Sequence, residues 1–230
     1  MKIFVGTSGW FYSWNKERSL EWFVKNSGLN AVELNASFYR FPFPNQVKAW
    51  ASKAKSLRWT IKVNRLITHV HKFNKEAIEI WKRFYELFEP LNPCIDFYLF
   101  QLPPSFIDIE KALEFAKKIK LKERFALELR NKKIIENLKE KEIEKINKKV
   151  TLVSLDSPDF KNKIFAGKII YLRMHGRNFW YRHNYSEKEL KEIANTIKKI
   201  EPEKVYAFFN NNHDMLNNAR LMLKLLQQNF

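Results

Sequence analysis

Glu33, Glu128 and His175 are the side chains of this sequence best suited to moving protons, and each stands at the end of a short apolar run: "AVE", "FALE" and "IIYLRMH". Carboxylates do general acid–base work once their surroundings tune them, and an imidazole titrates near neutral pH unaided. Lys62, Arg130 and Arg173 sit at the ends of similar runs. An ammonium and two guanidinium forks brought together suit an oxyanion: a phosphate, a carboxylate or a nucleic-acid backbone. Asn35, Gln101 and Asn210 add amides that can fix a hydroxyl or another amide. Trp180 and Tyr181 stand between Arg177 and Arg182. Aromatic and basic residues together stack bases or sugars while holding phosphates.

Residues this far apart in sequence work together only if the fold gathers the ends of their runs. Eight runs read as strands: "KIFVGTS", "AVELNAS", "WTIKVN", "IDFYLFQLP", "RFALELR", "VTLVSLD", "IIYLRMHG" and "VYAFFNN". Helical patterns lie between most of them, among them "KEAIEIWKRFYELFEP", "DIEKALEFAKKIK", "KKIIENLKEKEIEKI" and "SEKELKEIANTIKKI". Ser19 with Glu21, Asn45 after Pro44, and the capping box Ser186–Glu189 mark helix starts. Only "SPDFKNKIFAGK", between the sixth and seventh strands, lacks a helical pattern. This alternation predicts an α/β fold with a parallel sheet. Eight repeats predict a closed (β/α)8 TIM barrel, as a single domain over residues 1–230. An open doubly wound sheet would carry a Gly-rich phosphate loop after its first strand, and "GTSGW" is too short for one.

Side chains alternate faces along a strand, and such barrels keep their active sites at the C-terminal strand ends. Val32 and Leu34 therefore face outward while Glu33 and Asn35 face inward. Trp59, Ile61 and Val63 stand against Thr60, Lys62 and Asn64. Ile170, Leu172 and Met174 stand against Tyr171, Arg173 and His175. Seven of the eight strands send polar groups to the same end. Unpaired buried charge costs several kcal/mol, so Glu33, Lys62, Glu128, Arg130, Asp156, Arg173 and His175 must pair with one another. Such clusters accompany function more often than pure structure.

Composition narrows the class. Hydrophobic residues reach 45%, enough for a core and against disorder. Cys94 is the only cysteine, so no internal disulfide forms, and it precedes the fourth strand as an expected core residue. The first residues read as strand and turn, and no apolar run reaches the ~18 residues of a membrane helix. A cytoplasmic protein without a membrane partner is expected. The net charge of +17 suits a nucleic-acid partner, but much of the excess lies on mixed Lys/Glu helix faces of the kind found in thermophiles.

The segments "GTSGWFYSW", "VELNASFYRFP", "FQLPPSF", "LELR", "LDSP", "YLRMHG" and "FFNN", in this order, resemble signatures of the YecE-like family, domain of unknown function 72 (DUF72). The resemblance runs from about residue 3 to about residue 220. It implies a TIM barrel and brings no established reaction. A distant likeness of that family to the endonuclease-IV and xylose-isomerase barrels implies carboxylate and His metal ligands at strand ends. Here Asp156, with His69 and His71 of "THVH", are weak metal candidates. Asn210 replaces a carboxylate on the eighth strand, and Lys62, Arg130 and Arg173 repel a dication. No cofactor is therefore expected, with room left for a single divalent metal. The first expectation for function is a hydrolase or isomerase acting on a phosphorylated or otherwise anionic substrate, including a nucleotide or nucleic acid. The second is a metal-free or single-metal sugar isomerase with Glu33 and Glu128 moving protons. The third is a non-catalytic nucleic-acid-binding barrel. Oligomeric state is not encoded in any feature read above.

Overall fold

The computed structural model describes residues 1–228. Eight parallel strands follow one another in chain order around a closed barrel, as the alternation predicts. They are β1 (Lys2–Thr7), β2 (Ala31–Leu34), β3 (Arg58–Lys62), β4 (Ile95–Gln101), β5 (Phe125–Glu128), β6 (Thr151–Asp156), β7 (Ile169–Met174) and β8 (Lys204–Phe209). The helices are α1 (Leu20–Asn26), α2 (Pro44–Lys53), α3 (Lys75–Leu87), α4 (Ile109–Ile119), α5 (Lys132–Asn137), α6 (Glu140–Asn147), α7 (Glu187–Ile200) and α8 (Met215–Gln227). Among the described residues no helix is long and apolar enough to cross a membrane.

The helix starts follow side-chain capping. Ser19, Asn74, Asp108, Asn131 and Ser186 each accept a backbone N–H of the first turn. Ser186 and Glu189 form the expected capping box. The α2 start differs from expectation. Phe43 holds the cap position and Pro44 the first helical position, where its missing N–H costs nothing, so Asn45 lies inside the helix. "KKIIENLKEKEIEKI" also differs: extended Leu138 and Lys139 split it into α5 and α6. Cys94 closes a 3-10 turn ahead of β4 and is half-buried, not a core residue.

Backbone proximity groups the chain into two compact units. One holds Met1–Glu33, Ser56–Arg58 and the chain from Val153 onward; the other holds Leu34–Lys55 and Trp59–Leu152. In the first unit β8 lies between β7 and β1, in registers that pair Lys204 with Ile169 and with Lys2. β1 also meets β2 at Gly6↔Ala31. A Cβ on Gly6 would stand 2.2 Å from the Ala31 carbonyl oxygen, so only glycine allows this approach. One face of these strands runs from apolar to polar along the chain direction. Phe4 stacks on Tyr206 with centroids 4.7 Å apart, and Tyr171 packs on Phe208 at 5.2 Å. Glu33, Arg173 and His175 follow toward the C-terminal ends.

The second unit is built on aromatic packing. Phe100 of β4 stacks on Phe125 of β5 at 3.8 Å, with the rings nearly parallel. Trp81 of α3 and Phe115 of α4 pack against Phe100 at 5.4 and 6.0 Å. Fully burying one such ring contributes roughly 1.5–3 kcal/mol. Between β3 and α3 the chain makes a π-helical turn, Leu66–Val70, which no periodicity in the sequence announces.

Candidate functional site

In the first unit Glu33, at the end of β2, is fully buried and accepts four hydrogen bonds. Ser8 Oγ donates to Oε1 at 2.8 Å and Arg173 Nη2 to the same oxygen at 2.6 Å. Tyr171 Oη donates to Oε2 at 2.6 Å, and Arg173 Nε joins it at 3.0 Å. A carboxylate offers about four acceptor positions, and these donors fill them. Arg173 is equally buried, so the two form a bidentate ion pair shut off from solvent. Parity explains the geometry: Tyr171 and Arg173 are two residues apart on β7 and share a face.

Asp156, at the end of β6, is filled in the same way. Its Oδ1 accepts Asn162 N at 2.7 Å and Arg177 Nε at 3.1 Å, and its Oδ2 accepts Tyr185 Oη at 2.7 Å. Arg177 reaches on to Glu192 at 3.0 Å. Burial opposes the charge of Arg177, yet Asp156 and Glu192 hold its pKa above the ordinary value. Burial and the Asp156 charge push the Tyr185 phenol well up, so it stays a donor. Tyr185 Oη also accepts Gly176 N at 2.8 Å. Asp156, with its oxygens taken by protein donors, thus ties the β6–β7 connection to the start of the β7–α7 loop. No motif announces this knot: in sequence Arg177 reads as a loop cation and Tyr185 as a residue before a helix.

His175 closes β7. Its backbone N–H donates to Asp156 O at 2.7 Å, and its ring Nδ1 lies 3.4 Å from Asn210 Nδ2 at the end of β8. The chain then turns at Gly176, where φ is +97° and a Cβ would stand 2.7 Å from Phe179 O. That turn folds Trp180 and Tyr181 back onto His175, with ring centroids 5.4 and 5.6 Å away, and Tyr181 N donates to His175 O at 2.7 Å. His175 is fully buried beneath them, and Asn210 is half-buried. On the solvent side Phe179, Trp180, Tyr181, Arg182 and Asn212 line an open cavity of about 820 Å³. Phe179 is 71% exposed there.

The second unit carries the other expected residues. Glu128 is fully buried at the end of β5 and forms an ion pair with Arg130 at 2.5 Å. Gln101 lies beside Glu128 in the β4–β5 register and is half-buried. Asn35 opens a 3-10 turn, Ala36–Phe38, after β2. Lys62, largely buried at the end of β3, sets its ammonium 4.2 Å from the centre of the Phe38 ring. His69, on the π-helical turn, meets the same ring edge-on at 5.0 Å and bonds Thr68 Oγ1 at 2.8 Å. Burial first, and then the charges of Lys62, Arg65 and Lys72, push the His69 pKa down to about 4. His71 caps the same turn through its backbone. Among the described residues no three His, Cys, Asp or Glu side chains gather as a metal-binding group.

A family profile described as "Protein of unknown function DUF72" matches residues 4–230. No functionally curated protein matches the chain significantly. Among solved structures, a DUF72 family protein of Thermotoga maritima MSB8 aligns with a TM-score of 0.80 at 25% sequence identity, covering 99% of this chain and 100% of that one. A DUF72 family protein of Enterococcus faecalis V583 aligns with a TM-score of 0.81 at 22% identity, covering 99% and 98%. The second likeness concerns the fold alone.

Proposed function

The chain is a member of the DUF72 family, a family of unknown function, and from that premise we propose that it is an enzyme acting on a small phosphate-bearing substrate of nucleotide type. The observation that carries this reading is the cradle after β7. Phe179, Trp180, Tyr181 and Arg182 line an 820 Å³ cavity, and the Trp180 and Tyr181 rings cover the buried strand-end His175. Barrels of this class place their chemistry at such strand ends. Aromatic faces beside a guanidinium suit a base or sugar that carries phosphate.

In this reading a planar base stacks on Phe179, Trp180 or Tyr181 while Arg182 meets the phosphate. His175 is the proton-moving group, oriented by Asn210, and it reaches substrate once the Trp180 and Tyr181 rings that bury it shift aside. Glu33 and Arg173 keep the strand ends in place and do not touch substrate, because both are fully buried and Ser8, Tyr171 and Arg173 fill the acceptor positions of Glu33. The same saturation weakens the sugar-isomerase reading, which needs Glu33 with a lone pair to spare.

Isothermal titration with AMP, adenosine and ribose 5-phosphate tests this. AMP is expected to bind more tightly than either fragment, and Trp180→Ala/Tyr181→Ala to weaken it by roughly tenfold, since one base–aromatic stack contributes on the order of 1–3 kcal/mol. Equal binding of AMP by the wild type and that variant would remove the cradle from the account.

A further inference from the structure

The forty-two residues Leu34–Lys75 carry nine Lys or Arg and no Asp or Glu. Apart from Ser56–Arg58 the stretch belongs to the second unit, where it forms the segments after β2 and β3. Their exposed side chains are of two kinds. Tyr39 and Phe43, after β2, are 73% and 69% exposed. Arg40 lies between them, and Arg65 and Lys72 flank the π-helical turn after β3, all three exposed to solvent. Here cations are interleaved with exposed rings without a neutralising carboxylate in the segment, a composition suited to a polyanion that also offers flat faces.

The two segments are joined through Phe38. Tyr39 meets its ring edge-on at 5.1 Å, His69 meets it edge-on at 5.0 Å, and the Lys62 ammonium sits over its face. Ser37 Oγ donates to Lys62 O at 2.7 Å, and Asn64 Nδ2 donates to Ser37 O at 2.9 Å. The rings and cations therefore stand on a braced platform and not on a free loop. A π-helical turn inserts an extra residue into the helical path and recurs at functional sites. We propose that this platform is an interaction surface for single-stranded nucleic acid, with Tyr39 and Phe43 stacking on bases while Arg40, Arg65 and Lys72 track the phosphates.

The His69 imidazole supports the sign of the surface. Burial and then three neighbouring cations keep it neutral well below its ordinary range, as expected where positive potential is concentrated. The helix faces elsewhere contrast with this. In the groove along α4, Lys117, Lys120, Lys122 and Lys149 are interspersed with Glu110 and Glu114, and Glu110 lies 3.7 Å from Lys149. Alternating signs suit a solvated surface more than a polyanion track. Single strands are preferred over a duplex because stacking needs unpaired base faces.

The test is fluorescence anisotropy of a labelled oligothymidylate across a salt series. The wild type is expected to bind with an affinity that falls steeply with salt, by a slope of about −0.7 per phosphate contacted. Tyr39→Ala/Phe43→Ala is expected to weaken binding roughly tenfold or more at every salt concentration without changing the slope. Arg40→Gln/Arg65→Gln is expected to flatten the slope. All four side chains are exposed, so a melting curve matching the wild type is expected; Tyr39→Gln alone serves if the double variant melts early. Trp180→Ala/Tyr181→Ala is expected to leave oligonucleotide binding intact, which separates this surface from the nucleotide cradle. The proposal is overturned by no binding at low salt, or by affinity indifferent to Tyr39 and Phe43. Loss only in Lys117→Gln/Lys120→Gln/Lys122→Gln, or a duplex that binds as tightly as the single strand, overturns it as well. So does phosphatidylserine vesicle capture that needs Tyr39 and Phe43 when oligonucleotide binding does not.

Discussion

Two sets of cations at strand ends meet different fates in this protein. Arg173 and Arg177, in the first unit, each meet a fully buried carboxylate, and further donors complete Glu33 and Asp156. In the second unit Arg130 also meets a buried carboxylate, Glu128, but after β2 and β3 Lys62 sits over a phenylalanine ring, Arg65 and Lys72 stand in solvent, and the histidine among them is held neutral. The contrast separates two jobs that look alike in sequence. A charge enclosed with its opposite braces the fold. Exposed cations such as Arg65 and Lys72 direct their field outward, where an anion can meet it.

The largest effect that would break this contrast is on stability. Arg173→Met leaves Glu33 buried with two donors removed, and a loss of about 3–5 kcal/mol is expected in urea unfolding. Replacing both partners, as Glu33→Leu/Arg173→Met, should restore a large part of it, because the cost lies in the orphaned charge. A double variant as unstable as the single one would show that the pair does more than balance itself. Asp156→Asn comes next. It weakens the bonds to Arg177, Tyr185 and Asn162, and a loss of roughly 1.5–3 kcal/mol is expected, with earlier proteolysis of the β7–α7 loop.

The smallest effect sharpens the other side. His69 has a folded pKa of about 4 against an ordinary 6.5. Above pH 6.5 neither state binds the proton and His69 contributes no pH dependence. As pH falls from 6.5 toward 4 the unfolded chain takes up a proton that the folded chain refuses, so folding weakens across that window. His69→Gln should flatten that part of the stability–pH curve. Two-dimensional NMR should show the imidazole neutral at pH 5.5, and bound polyphosphate should raise its pKa. A His69 that titrates near 6.5 with and without polyphosphate would show that the cations around it are screened.

The barrel was legible because strand and helix periods alternate along the chain except between β6 and β7, and the inward polar parity of β7 placed Tyr171, Arg173 and His175 on one face. What parity could not say is whether a polar end is closed or open. Glu33 is closed because Ser8, a loop residue after β1, turns its hydroxyl inward. Asp156 is closed because Gly176 bends the chain and brings Arg177 and Tyr185 to it. Both depend on loop conformations that no periodicity encodes. The same limit hid the π-helical turn, the split between α5 and α6, and the Phe43 cap ahead of Pro44.

The central claim is that the cradle after β7 holds a phosphate-bearing nucleotide. A crystal structure of the protein grown with AMP at a concentration that saturates binding in solution tests it most directly. Density is expected for a base stacked on Phe179, Trp180 or Tyr181, with its phosphate at Arg182. A nucleotide seated on Tyr39 and Phe43 instead, with the β7 cradle empty, would contradict it.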